Sequence, residues 1–174
     1  MTDPRYPIGK FSAREKYSIN EIQSFIDKIA ALPEQIENAL AGLNTSQLDT
    51  PYRDGGWTVR QVIHHVADSH SNAYIRFKWA LTEQTPLIKA YNEKAWAQTP
   101  EVTSPPSLSI NLLHALHQKW IVLLKCMSFE EFQREIIHPE TGKHISLAQM
   151  AGTYAWHGEH HTAHITSLRQ RQNW

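Results

Sequence analysis

The sequence contains one cysteine, no excess of either charge and no long hydrophobic run. Cys126 alone cannot form an internal disulfide, which favours a reducing, cytoplasmic location. Lysines plus arginines number 17, as do aspartates plus glutamates, so the basic excess typical of nucleic-acid binders is missing. The apolar runs are too short to span a membrane, and residues 1–7 contain no apolar signal core. We therefore expect a soluble cytoplasmic protein with a small-molecule substrate and without nucleic-acid or membrane partners.

Histidine is the residue type that is present in excess, with 11 copies in 174 residues. Hydrophobic residues make up 41% of the chain and charged residues 20%, which argues against disorder. The length suits one domain with a proper core, so we expect a single domain over residues 1–174. Neutral imidazole is a common transition-metal ligand, so the histidine content indicates metal binding without locating the site.

Four segments carry apolar residues at helical spacing and predict four long helices. Capping-box patterns at Ser18, Thr58 and Ser146 mark three of the helix starts. Pro33 interrupts the first segment, so we expect a bend there. The predicted helices cover about 18–42, 58–83, 107–126 and 146–169. In the third helix, the residues expected to face the core are Leu108, Leu112, Leu116, Trp120 and either Leu123 or Leu124. Four amphipathic helices predict an all-α four-helix bundle.

The connection between the second and third helices, residues 84–106, is unusually long for a compact domain. It contains four prolines and is long enough to run back along the bundle. This crossover favours a topology in which helices two and three are parallel. Ser128 caps a short helix, and residues 136–145 are compatible with a small hairpin.

The last helix contains two histidine pairs spaced four residues apart, His157/His161 and His160/His164. Each pair can present two imidazoles from one helical face. The apolar stripe of this helix places His157 and His161 at the border of the core. We expect His160 and His164 to face solvent or a partner. Glu159 should point away from the first pair and is not expected to act as a general base.

A metal site needs at least one further ligand, and the second helix offers His64, His65 and His70. Periodicity places His70 near the centre of the apolar stripe, where a buried structural histidine is expected. It does not choose between His64 and His65, which flank the stripe on opposite sides. Asp68 has two interpretations, a carboxylate that orients an imidazole or an exposed helix charge.

Two long strings resemble the signatures of the DinB-like superfamily: residues 57–68 resemble its second helix and residues 157–165 its last helix. Within that superfamily, residues 6–11, 55–61 and 73–78 resemble the YfiT group. The similarity extends over essentially the whole chain.

The resemblance implies a four-helix bundle that binds one divalent metal ion through three histidines. The superfamily's ligand on helix two precedes an aliphatic residue, which corresponds to His65, and its last-helix ligands correspond to His157 and His161. The choice of His65 over His64 rests on this resemblance alone. The YfiT group also implies a homodimer, for which the sequence offers only the outward-facing Trp79 and Trp156 as indirect support.

Three neutral histidines leave a coordination position open, as catalytic metal sites do. We therefore expect a metal-dependent hydrolase in which the ion, zinc first and nickel as the alternative, activates water. A second interpretation is a metal-dependent transferase of a small cofactor thiol, of the bacillithiol type, since DinB-like relatives include such enzymes. A third is a metal-binding protein without catalysis. The sequence identifies no general acid and no substrate.

Overall fold

The computed structural model describes residues 3–174, which form four long helices joined by short helices and one hairpin. The long helices are α1 (Ile19–Leu40), α3 (Val59–Thr82), α5 (Ser107–Cys126) and α7 (Leu147–Gln172). The shorter elements are α2 (Thr45–Leu48), α4 (Glu93–Trp96), a 3₁₀ turn (Pro100–Thr103), α6 (Phe129–Phe132), β1 (Glu135–Ile137) and β2 (His144–Ser146). The predicted four-helix bundle is confirmed. In the described residues no helix combines the length and hydropathy of a membrane span.

Side-chain caps explain why the helices begin where the sequence predicts. Ser18 accepts a hydrogen bond from the backbone of Glu21 and returns one from its own backbone to the Glu21 carboxylate. Thr58 and Gln61 make the same reciprocal pair at the start of α3. At the start of α7 only one of the two bonds forms, from the backbone amide of Gln149 to the Ser146 hydroxyl. These bonds satisfy amide groups that would otherwise be unpaired in the first helical turn.

The helix α1 continues through Pro33, where the sequence suggests a bend. Proline has no amide hydrogen, so the carbonyl of Ile29, four residues earlier, receives no bond from position 33. That carbonyl instead accepts a hydrogen bond from the Nδ1 atom of His117, 2.7 Å away on α5. The proline therefore leaves a backbone acceptor for a buried histidine.

The helices α3 and α5 are parallel, as the long crossover predicts. Contacts between them advance in the same direction along both helices. The contact pairs are His64–Ser109, His70–His117 and Phe77–Trp120. The crossover itself is not structureless, because it contains α4 and the 3₁₀ turn and is bonded to the bundle through Gln61 Nε2 and the Ala97 carbonyl, 2.8 Å apart.

The core-facing stripe of α5 differs from the prediction. Leu108 and Leu112 are exposed, at 60% and 47% of their surface, and Leu116 is only partly buried. The buried residues are Ser109, Leu113, His117, Trp120 and Leu124. Trp120 and Leu124 are buried as predicted, whereas the prediction was wrong for Leu108, Leu112 and Leu116. It followed the leucines, but the corresponding buried positions are taken by Ser109, which contacts α3, and His117, which contacts α1.

Two hydrophobic clusters fill the bundle, and a layer of histidines lies between them. One cluster surrounds Phe77 and Trp120, and the other surrounds Ile36 and Ile63. On α3, α5 and α7 the chain passes from one cluster to the other through the positions that carry histidines. The histidines between the clusters are His70 on α3, His117 on α5, and His157, His160, His161 and His164 on α7, and His65 lies next to them where α3 enters the second cluster. The helices therefore converge on a polar centre inside an otherwise apolar core.

Candidate metal centre

The three expected ligands come together from α3 and α7. One nitrogen each of His65, His157 and His161 lies within 4.8 Å of the other two. The Nε2 atoms of His65 and His157 are 3.2 Å apart. A tetrahedral ion with metal–nitrogen bonds of about 2.0–2.1 Å separates its ligands by about 3.3 Å. The donor set and its spacing therefore fit a divalent transition-metal ion.

Burial keeps these three imidazoles neutral. It lowers the pKa of His65 to about 4, and it lowers the pKa of His157 and of His161 well below the usual value. Repulsion from neighbouring imidazoles, with His65, His160 and His164 acting on both groups, lowers the pKa of His157 and His161 further. A neutral imidazole keeps a nitrogen lone pair for a cation, so the group is ready to bind metal at pH 7.

The structure directs His64 away from this cluster. Its Nδ1 atom lies 2.8 Å from the Ser109 hydroxyl on α5, and its Nε2 atom lies 3.2 Å from the Ser104 carbonyl. His64 therefore joins α3 to α5 and to the crossover, whereas His65 faces α7.

His70 is fully buried, which confirms its expected place in the core. It is not an isolated core histidine, however. Its Nε2 atom lies 3.3 Å from Nδ1 of His157, and its Nδ1 atom lies 3.0 Å from Nε2 of His117. Sequence reasoning missed His117, although it lies at helical spacing from Leu113 and Trp120, a signal that could have identified it.

The expectation that His160 and His164 face solvent or a partner was wrong. Both are buried, at 7% and 3% exposure. Tyr52 stacks on His164 with ring centroids 3.9 Å apart, and Trp156 stacks on His160 at 4.4 Å. The carbonyl of Arg5 lies 3.3 Å from the Nε2 atom of His164. Helical periodicity shows only which face of α7 meets the other long helices. It does not show that the N-terminal segment and the loop before α3 cover the opposite face of α7.

Trp156 is covered by the same segment, so it no longer supports a dimer. Its indole nitrogen donates to the Gly9 carbonyl at 3.2 Å, and its ring packs near Phe11. Trp79 is partly buried against the core.

The two acidic residues near the site, Glu159 and Asp68, form no hydrogen bond with the imidazoles within residues 3–174. Glu159 points away from the cluster, as expected, and forms an ion pair with Lys28 at 3.0 Å. Asp68 is partly buried beside Glu101, and burial raises its pKa to about 6. Among residues 3–174, no hydrogen bond joins the Asp68 carboxylate to an imidazole. The interpretation of Asp68 as an orienting carboxylate was therefore wrong. The side chains hydrogen-bonded to the Nδ1 atoms of His157 and His161 are other histidines, His70 and His164.

Two cavities flank the histidine cluster. One of about 810 Å³ is lined by His161, His164, Tyr52 and Trp57 among others. The other, of about 560 Å³, includes Ser69, one turn beyond His65, and Tyr154, one turn before His157. Both volumes are in the range of small-molecule sites.

Comparison with known proteins places this site in a family. The model of the DinB superfamily matches residues 28–165. The chain belongs to the DinB superfamily. Two superfamily relatives, from Bacillus cereus strain ATCC 10987 and Bacillus thuringiensis subsp. konkukian, are each 51% identical to it, with 100% of both chains covered. Their names class them provisionally as metal-dependent hydrolases.

Solved structures of the DinB fold agree with this placement. YfiT from Bacillus subtilis, described provisionally as a metal-dependent hydrolase with an unusual four-helix bundle topology, is 46% identical. It superposes with a TM-score of 0.97 over 99% of each chain. A mycothiol-dependent maleylpyruvate isomerase matches 80% of this chain and 60% of its own, with a TM-score of 0.61 and 17% identity. That likeness shows a shared fold.

Proposed function

We propose that this DinB-superfamily protein is a metal-dependent hydrolase in which His65, His157 and His161 bind one divalent ion. The observation that carries the proposal is the convergence of three neutral imidazole nitrogens within 4.8 Å beside a cavity of about 810 Å³. The relatives' names as metal-dependent hydrolases support the reaction class. An ion with three histidine ligands keeps its charge and an open position, and it would lower the pKa of a bound water to about 7.

The donor set favours zinc, with nickel as the alternative. Imidazole nitrogen suits zinc, copper, iron and nickel, and three histidines with one open position are a common catalytic zinc arrangement.

The protein's own residues would exclude bulk water and shape the substrate site. Trp57 packs on His65 with ring centroids 4.6 Å apart and closes one side of the cluster. His161 and Trp57 both line the larger cavity, so a substrate bound there would lie against the ligand group. The cavity size suits a small molecule.

We also propose a homodimer in the cytoplasm. The homodimer rests on the resemblance to the YfiT group, and the cytoplasmic location rests on the single cysteine. The balanced charge supports the absence of a nucleic-acid partner. Light scattering of the untagged protein would test the dimer directly.

The hydrolase proposal is tested with metal-free protein reloaded with zinc, nickel or cobalt. Hydrolysis of p-nitrophenyl acetate and a panel of acyl amides is measured with and without a low-molecular-weight thiol. We expect hydrolysis that needs the ion, needs no thiol, disappears in His161→Ala and persists in His144→Ala. His144 is an exposed histidine on β2 that pairs with Glu135 and serves as the matched control. If turnover requires a thiol, the hydrolase proposal is wrong and thiol transfer is the reaction that the result supports.

A second measurement does not depend on finding the substrate. The visible spectrum of the cobalt-loaded protein reports the coordination of the ion. We expect it to change when acetohydroxamate, a ligand for open metal positions, is added. An unchanged spectrum together with no turnover would overturn the enzyme proposal and favour a metal-binding protein without catalysis.

A further inference from the structure

Two of the three proposed ligands are hydrogen-bonded through Nδ1 to another histidine. His157 Nδ1 lies 3.3 Å from His70, and His161 Nδ1 lies 3.3 Å from His164. A metal-binding histidine usually donates its second N–H to a carboxylate, a carbonyl or water. A carboxylate or a carbonyl can only accept, so it fixes the tautomer. A neutral histidine can either donate or accept at a given nitrogen, so the direction of these bonds must be set farther along the chain of contacts.

The direction of the first chain is set by the Ile29 carbonyl. A carbonyl only accepts, so His117 must donate its Nδ1–H across the 2.7 Å contact. The Nε2 atom of a neutral His117 then accepts from Nδ1–H of His70 at 3.0 Å. His70 Nε2 in turn accepts from Nδ1–H of His157. The Nε2 lone pair of His157 is thereby left free, 3.2 Å from Nε2 of His65.

Pro33 explains why this acceptor exists inside a helix. The Ile29 carbonyl would ordinarily accept from the amide of residue 33, and proline has no amide hydrogen to give. The proline that interrupts the periodic pattern of α1 therefore frees the carbonyl at which the chain of histidines ends.

The second chain ends on the Arg5 carbonyl. His164 must donate its Nε2–H to that carbonyl, 3.3 Å away. Its Nδ1 atom then accepts from Nδ1–H of His161. This again leaves the ligand's Nε2 atom with a free lone pair. The N-terminal segment thus contributes a backbone group to the histidine cluster.

Burial keeps the supporting rings neutral, so each donates once and accepts once. His70, His117 and His164 are 0%, 2% and 3% exposed, and within residues 3–174 no carboxylate is hydrogen-bonded to any of them, so the charged form has no compensating partner. With neutral rings and fixed carbonyl ends, each chain has one proton arrangement.

We propose that these two histidine relays, His70–His117–Ile29 and His164–Arg5, position His157 and His161 as Nε2 ligands before any ion binds. The inference rests on the proposed metal centre and not on hydrolysis. His65 differs from the other two ligands, because the hydrogen bonds within residues 3–174 include none to its Nδ1 atom. In the metal-free protein its Nε2–H donates to His157. Binding of an ion at Nε2 would therefore require His65 to adopt the Nδ1–H tautomer.

Nitrogen-15 NMR of the metal-free protein tests the relays without metal or activity. Long-range proton–nitrogen correlations identify which ring nitrogen of each histidine carries the proton. We expect protonated Nδ1 at His70, His117, His157 and His161, and protonated Nε2 at His164. We expect zinc to change the tautomer of His65 alone among the three ligands. A proton on Nε2 of metal-free His157 or His161, or a mixture of tautomers there, would overturn the proposal.

Zinc affinity measured against a chelator provides the second test. His70→Phe and His164→Phe keep a buried aromatic ring but remove the acceptor for the ligand's Nδ1–H. We expect one ion per chain to be retained with affinity about 10–100-fold weaker, as for other orienting partners of metal ligands. The matched control is His64→Phe, a buried histidine on the same helix outside both relays, and its affinity should be unchanged.

Unchanged affinity in both relay variants would contradict the proposal, as would an equal loss in the control, which would indicate general destabilisation. If a variant does not fold, the NMR assignment of the native chain still decides the question. If the tautomers are as expected but no hydrolysis is detected, the relay proposal holds and only the hydrolase proposal is overturned.

Discussion

Leu32 on α1 packs directly against Gly158 on α7. A Cβ atom at position 158 would lie 2.6 Å from Cδ2 of Leu32, and Leu32 is 2% exposed, with little room to move. A side chain at position 158 would therefore require the buried Leu32 side chain to move, which favours glycine after His157. The short separation also fixes α7 against α1 at the point where the ligands are presented.

Gly158→Ala should destabilise the bundle. The added methyl must displace Leu32 or part the helices, and such overpacking costs about 1–3 kcal/mol. Urea unfolding followed by circular dichroism measures the change. Thr166→Ala, at an exposed position of the same helix, is the control and should change the free energy of unfolding by less than about 0.5 kcal/mol. Equal stability of Gly158→Ala and the native chain would show that the contact is not tight.

His64→Ala should lower stability and leave metal binding intact. The substitution removes the bonds to Ser109 and the Ser104 carbonyl and leaves buried groups unpaired, at a cost of about 1–3 kcal/mol. The measurements are urea unfolding and the metal content of the folded variant. Loss of the ion from folded His64→Ala would mean that His64, rather than its neighbour, is the ligand on α3.

The metal-free protein should lose stability between pH 6.5 and pH 4. Burial lowers the pKa of His65, His117 and His164 to about 4 in the folded chain, below the ordinary value of 6.5. In this window the unfolded chain binds protons that the folded chain does not. The free energy of unfolding therefore falls with decreasing pH, by up to about 1.4 kcal/mol per pH unit for each histidine.

This pH dependence is measured by urea unfolding of chelator-treated protein at pH 7, 6 and 5. A free energy of unfolding that stays constant across these values would contradict the burial of neutral histidines. Saturating zinc should raise stability at pH 7 because the ion binds the folded state.

The helices could be predicted from sequence because their signals are local. Ser18 and Thr58 cap the residues that follow them, and apolar spacing defines the rest of each helix. The parallel arrangement of α3 and α5 followed from the length of the crossover alone. The histidine pair on α7 bordering the core was also identified by periodicity.

The remaining features depend on contacts between distant segments. A helix in a bundle has two buried flanks, and on α3 His64 occupies the flank that faces α5 while His65 occupies the one that faces α7. Periodicity gives both flanks the same weight and cannot say which neighbour each one meets. The burial of His164 depends on Tyr52 and on the Arg5 carbonyl, far away in sequence. Helical spacing could have identified His117 as a buried residue of α5, but it could not show that His117 contacts the Ile29 carbonyl on α1.

The most direct test of the metal centre is elemental mass spectrometry of the protein purified without a histidine tag. We predict close to one divalent ion per chain, lost in folded His65→Ala, His157→Ala and His161→Ala and retained in the exposed control His144→Ala. Full retention of the ion in any of the three ligand variants would contradict its assignment. No ion in the native chain, even after reconstitution with zinc and nickel, would contradict the metal centre itself.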